Sequence, residues 1–180
     1  EVLSRYTGRV VKSLGDGLLA EFDRATDAVA AAQAFHRFVR RLCAPLQPDM
    51  QMFLRVGLHA THFYEGERDV YGSGVNLAAR IAALAKPGET VVTAEVRDQI
   101  VDGMDADLED MGESYLKHWP EPVRTWRAWP AGSAGAQERE RAPLMPQEDL
   151  RPTVAVIPFV GRSSSPEHEV IGDLIADGAV

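Results

Sequence analysis

Apolar positions along the chain change period several times, and each change marks an element. Arg9-Val-Val-Lys-Ser-Leu14 and Leu18-Leu-Ala-Glu-Phe22 are β-prone and are separated by Gly15-Asp16-Gly17, a turn signal, so they predict a hairpin. From Asp23 to Cys43, Ala25, Ala28, Val29, Ala32, Phe35, Val39 and Leu42 recur at spacings of three and four. That is the pattern of an amphipathic helix, which Asp23 can cap and after which Pro45 and Pro48 mark the exit. Met52 to Phe63 is β-prone again, with Leu54, Val56 and Leu58 on one face and Phe53, Arg55, Gly57 and His59 on the other. Arg55 therefore lies either on an exposed face or pointing into a site.

The next stretch, Asp69-Val-Tyr-Gly-Ser-Gly-Val-Asn76-Leu-Ala-Ala-Arg80, reads as a turn that runs straight into a short amphipathic helix. Gly72 and Gly74 break the preceding segment and leave Ser73 to cap the helix, along which Val75, Ala78, Ala79, Ala82 and Ala83 repeat at helical spacing. Asn76 and Arg80 are four residues apart, which puts an amide and a guanidinium on one face, close to an N-terminus whose free N–H groups and dipole favour an anion. A phosphate would suit this place. Lys86-Pro-Gly88 ends the pattern, Glu89 to Thr93 predicts a strand and Ala94 to Val101 a further helix. Leu108 to Trp129 holds β-prone pieces broken at Gly112, Pro120 and Pro122. The order of elements describes an α+β domain with a central sheet.

Periodicity vanishes between Pro130 and Leu150, where Ala, Gly, Ser, Gln, Glu, Arg and Pro dominate, so 130–150 is expected to be a linker. Beyond it, Pro152-Thr-Val-Ala-Val-Ile-Pro-Phe-Val160 is a buried-strand run, followed by a loop and a helical segment from Glu167. Residues 151–180 then read as the start of a second α/β domain, too short to bury a core alone.

Composition narrows the classes. The chain has 180 residues, 45% of them hydrophobic, enough for one good core. A formal charge of -8 argues against a general nucleic-acid binder, so any anionic ligand needs local positive groups. The single cysteine, Cys43, sits on an apolar helix face and suggests packing; with no intramolecular disulfide possible, a reducing, cytoplasmic setting is the natural expectation. No apolar run reaches the ~20 residues needed to cross a bilayer. The chain opens on Glu1 rather than Met and stops inside an apolar segment, so it reads as a fragment of a longer protein.

Several residues with chemical potential have a plain structural reading. A turn carboxylate such as Asp16 is usually structural, and Lys12 nearby does not by itself decide otherwise. Arg37, Arg40 and Arg41 complement a helix C-terminus and read as a solvated face. His59 and His62, three apart on a strand, face opposite ways, and His36, His118 and His168 are isolated, so no zinc site is expected. Trp119, Trp126 and Trp129 suit lid and core packing better than a base-stacking platform.

Taken together, Lys12-Ser-Leu-Gly-Asp16-Gly, Arg55-Val-Gly-Leu-His59, the Asp69 to Arg80 block and Leu116-Lys117 resemble, in order and spacing, the catalytic domain of class III adenylate and guanylate cyclases. The resemblance covers roughly residues 5 to 130, and the Asp69 to Arg80 block is its most specific part. The segment after Arg151 resembles the opening of the TolB-like amino-terminal domain found behind bacterial cyclase domains of this type.

The resemblance implies a mostly antiparallel central sheet flanked by helices, the ferredoxin-like cyclase fold, over residues 1–129. It implies a homodimer with ATP bound between two chains and converted to cyclic AMP and pyrophosphate, in bacterial intracellular signalling. Asp16 would match one of two aspartates that hold two Mg²⁺ (or Mn²⁺) ions; Arg55 matches a phosphate-binding arginine. Asn76 would orient the ribose, Arg80 would stabilise charge on the α-phosphoryl group, and Lys117 would bind the terminal phosphates. Lys12 and Asp69 match the pair that reads adenine, where guanylate cyclases usually carry Glu and Cys.

Two departures accompany the match. The family's first strand, whose aspartate is the second metal ligand, lies upstream of anything in this sequence, so the fragment by itself is expected to be weak or inactive. The family also follows the strand at His59 with a small-residue turn containing Gly, where this chain has Ala60-Thr61-His62. A degenerate cyclase fold serving as a dimerising or nucleotide-sensing module is the alternative.

Overall fold

The structure, a computed structural model, describes residues 2–13, 17–47, 50–61, 64–65, 70–71 and 73–133. The linker, beyond its first residues, and the segment from Arg151 lie outside them.

A 3-10 turn at Leu3–Tyr6 leads into the expected hairpin of β1 (Gly8–Ser13) and β2 (Leu18–Phe22), antiparallel from Gly8 opposite Phe22 to Ser13 opposite Leu18. Helix α1 (Ala25–Cys43) follows. Its N-cap is Arg24, which makes no side-chain cap, so the capping expected of Asp23 is not made. The helix begins one residue later than that role requires. Cys43 is buried, as expected of a packing residue.

Among the described residues, the β-prone run from Met52 to Phe63 forms β3 (Val56–Leu58), and a small ladder of β4 (Tyr64–Glu65) with β5 (Val70–Tyr71) follows it. Before β3 the extended chain still buries Met52 and Leu54, and its backbone closes on the turn before the next strand: Gly88 donates to the Leu54 carbonyl and Val56 to that of Glu89. Helix α2 (Ser73–Leu84) takes Ser73 and Gly74 into its first turn, so Ser73 is a helical residue rather than the cap. Then come β6 (Thr90–Thr93), the single turn α3 (Ala94–Arg97), β7 (Asp107–Ser114) and β8 (Val123–Trp129).

The helix expected to reach Val101 stops at Arg97. From there Gln99 and Ile100 donate to carbonyls three residues back, and the Asp105 carboxylate takes the Val101 amide, capturing the backbone for a turn. Gly112 does not break its strand. With φ +77° it sits at a bulge between Asp110 and Gly112 in the β7–β8 ladder, a conformation that suits glycine.

The central sheet has the order β3-β6-β8-β7, with β3 parallel to β6 and the other neighbours antiparallel. Consecutive β6 residues show why it is covered on both faces. Val92 packs with Val29 of α1, Val96, Ile100 and Trp126, whereas Val91 packs with Leu77 and Ile81 of α2, and both valines are fully buried. Successive strand residues point to opposite faces, so α1 and α3 cover one side and α2 the other. A third cluster joins Phe35, Val39 and Cys43 to Met52 and Leu54, with Val10, Ala20 and Phe22 of the hairpin against it. Burying each such side chain contributes about 1.5–3 kcal/mol. Among the described residues no helix is long and apolar enough to cross a membrane.

Candidate functional site

Helix α2 carries two of the expected site residues, Asn76 and Arg80. Its inner side buries Gly74, Leu77, Ile81 and Ala82, and this leaves Asn76 exposed and Arg80 partly buried at the margin. The helix lies close on β3. A Cβ added to Gly57 would meet the Ala82 backbone nitrogen, with the Ala82 Cα at 2.6 Å and the Ala78 carbonyl oxygen at 2.8 Å. Only glycine lets the strand and helix backbones approach this far.

Arg80 carries an unmet demand. Its Nη1 is buried and has no hydrogen-bond partner among the described residues. A guanidinium N–H left without an acceptor costs on the order of 1–3 kcal/mol, so water or a ligand that meets it is favoured. An anion is the natural acceptor, because the guanidinium stays charged and offers a planar fork of donors. Asn76 lies one turn nearer the helix N-terminus.

The other expected site residues are spread over the fold. Arg55 is partly buried, two residues before Gly57, on the chain entering the strand that α2 packs against. Lys12 is exposed on β1, opposite Leu19 and beside an irregularity in the ladder after Val10. Lys117 is exposed in the turn between β7 and β8, next to His118, whose φ of 57° is left-handed. The hairpin forms a separate two-stranded sheet from the one that β3, β7 and β8 share. Asp16 and Asp69 lie outside the described residues. Among the described residues no group of three or more His, Cys, Asp or Glu could hold a metal ion.

Two features beside this site have no signature in the sequence. His59 follows β3 and places Nδ1 3.0 Å from the Thr93 hydroxyl and 3.4 Å from the Glu95 carboxylate. Burial lowers its pKa, and the nearby Glu95 opposes this without reversing it. The second feature is Thr61, whose side chain stands against Gly74 in the first turn of α2. Both contacts join residues distant in the chain, so no local spacing announces them.

No family model matches the chain. A Rhizobium meliloti protein named Putative adenylate cyclase 3 is 33% identical over 175 residues, which is 97% of this chain and 30% of that protein. An uncharacterized Mycobacterium tuberculosis protein is 30% identical over 164 residues, 85% of this chain and 58% of its own length. The chain thus spans only part of each relative. Among solved structures, an adenylate/guanylate cyclase/hydrolase from Silicibacter pomeroyi superposes with a TM-score of 0.62 at 26% identity, covering 72% of this chain and 76% of that one. The fold is that of the class III adenylate and guanylate cyclases, an α+β domain as the sequence predicts.

Proposed function

We propose that residues 1–129 form an adenylate cyclase catalytic domain, which converts ATP to cyclic AMP and pyrophosphate at sites shared by two copies of the chain. The observation that carries this reading is the buried Nη1 of Arg80, unpartnered among the described residues and one turn beyond Asn76 on α2, in a fold shared with nucleotide cyclases. Attack of the ribose 3′-hydroxyl gathers negative charge on the α-phosphoryl oxygens, and a guanidinium held in a partly desolvated place stabilises that charge without reorganising. Asn76, exposed on the same helix, offers both a donor and an acceptor to the ribose. Arg55 and Lys117 supply positive charge to the remaining phosphates, which a chain of net charge -8 cannot supply generally.

Lys12 and Asp69 favour adenine: the lysine donates to ring N1 and the aspartate accepts from the exocyclic amine. Asp16 would be a ligand of two Mg²⁺ or Mn²⁺ ions, which when bound acidify the 3′-hydroxyl and neutralise the phosphates. The 151–180 segment would open a TolB-like domain.

Cyclic AMP production by the full-length protein with Mg²⁺ or Mn²⁺, beside an Arg80→Ala variant, tests the reading. Full-length protein that binds ATP yet makes no cyclic nucleotide with either metal sinks it and leaves a nucleotide-sensing module. The joint change of Lys12→Glu and Asp69→Cys should move preference from ATP toward GTP.

A further inference from the structure

The turn after β3 departs from the small-residue turn that the resemblance leads one to expect, and the structure shows where the added bulk goes. A Cβ built on Gly74 would collide with Cγ2 and Oγ1 of Thr61 and would lie 2.5 Å from the Thr61 Cβ. Rotating χ1 moves the first two atoms but not the third, since the Cβ is fixed to the backbone. Thr61 has therefore taken the space that any side chain at position 74 would need. Gly74 is itself buried, in the first turn of α2.

We propose that Thr61 and Gly74 are a complementary pair that sets the position of the N-terminal turn of α2, which makes Thr61 a positioning residue for Asn76 and Arg80. The functional half of this inference rests on the cyclase reading. Thr61 is rooted three residues beyond the end of β3, and β3 is already locked to the middle of α2 where Gly57 meets Ala78 and Ala82. The helix is thus referred to one strand at two points, its first turn and its centre. Asn76 lies two residues past Gly74 and Arg80 six, within ~9 Å along a stiff helix at 1.5 Å per residue. A displacement of the first turn passes to both side chains. A misplacement of ~1 Å at a reacting group can cost on the order of 10²-fold in rate.

A double-mutant cycle on the full-length protein tests the pair, with Gly74→Ala, Thr61→Gly and their combination. Gly74→Ala should lower Tm and reduce kcat by on the order of 10- to 10²-fold with a smaller change in KM. Adding Thr61→Gly should restore most of both. In NMR spectra the side-chain amide of Asn76 and the Nε–H of Arg80 should move in Gly74→Ala and return in the double variant. If Gly74→Ala does not fold, recovery of the fold by Thr61→Gly is the supporting result. Additive Tm changes, a double variant no better than Gly74→Ala, or Asn76 and Arg80 resonances that stay in place would overturn the inference. A wild-type protein without cyclase activity refutes the functional reading alone, because Tm and the resonances still decide whether the pair positions α2.

Discussion

The Arg127 guanidinium lies 3.0 Å from the carboxylate of Glu89, with each side chain 10% exposed. The Nε faces Glu89 Oε1 without a hydrogen-bonding angle, so charge attraction carries this contact, while Nη1 donates to Glu109 Oε2 at 2.8 Å. Glu89 Oε2 in turn accepts from the Lys86 amide at 3.0 Å. The network joins the turn before β6 to β7 and β8. Removing Glu89 leaves the buried Arg127 guanidinium with Glu109 alone, whose side chain is far more exposed, so Glu89→Ala should lower the unfolding free energy by about 1–3 kcal/mol. Replacing both charges, with Glu89→Met and Arg127→Met, should cost much less. Urea unfolding of the single and double variants checks this, and equal losses in both would contradict it.

His36 makes a prediction about pH. It sits on α1 with Nε2 2.9 Å from the Thr90 hydroxyl, and burial, reinforced by Arg40 and Arg37, lowers its pKa from 6.5 to about 4. The unfolded chain therefore takes up the proton first as pH falls. Stability is unaffected by this group above about pH 6.5 and is lost between there and about pH 4, by up to ~3 kcal/mol. His59 is lowered by burial too and adds in the same direction. A His36→Gln variant should show a flatter decline in Tm between pH 6.5 and 4 than the wild type; parallel curves would place the acid sensitivity elsewhere.

The sequence announces what is local and leaves out what is not. The hairpin, α1 and α2 were legible because Gly15-Asp16-Gly17, the Val29-to-Val39 spacing and the alanines after Asn76 are local patterns. The helical spacing also put Asn76 and Arg80 on one element. The extent of β3 was not legible: Met52 and Leu54 alternate like a strand and are buried like one, but their neighbours are a turn rather than a partner strand. Nor did spacing announce that β3 runs parallel to β6, since that pairing is made across α2. The burial of Arg80 Nη1, the Thr61–Gly74 contact and the His59–Thr93 bond depend on how α2 and β6 pack, which no window of sequence contains.

Gly57 should be intolerant of any side chain. The atoms that a Cβ would meet are backbone atoms of Ala82 and Ala78, which have no rotamer to yield, so α2 would have to lift from β3. Overpacking of this kind costs about 1–3 kcal/mol. Gly57→Ala should lower Tm by several degrees, and because the displaced helix carries Asn76 and Arg80, cyclic AMP production should fall further than the loss of folded protein explains. Activity per folded molecule equal to wild type would show that the close approach serves stability alone.

Arg80→Lys separates charge from geometry at the centre of the proposed site. Lysine keeps the positive charge and most of the stem, so long-range attraction of a triphosphate is preserved. It loses the planar fork, and with it the buried Nη1 donor, which has no partner among the described residues. If that donor meets charge that appears only as the α-phosphoryl group reacts, its loss raises the barrier without weakening ground-state binding. The expected result is a fall in kcat on the order of 10²- to 10³-fold with KM nearly unchanged, the size seen when one preorganised donor to a developing oxyanion is removed. A rise in KM at constant kcat would instead make Arg80 a binding group that holds ATP equally in ground and transition states. Activity within a few-fold of wild type would show that a point charge suffices and that the fork geometry of Arg80 has no part in the reaction.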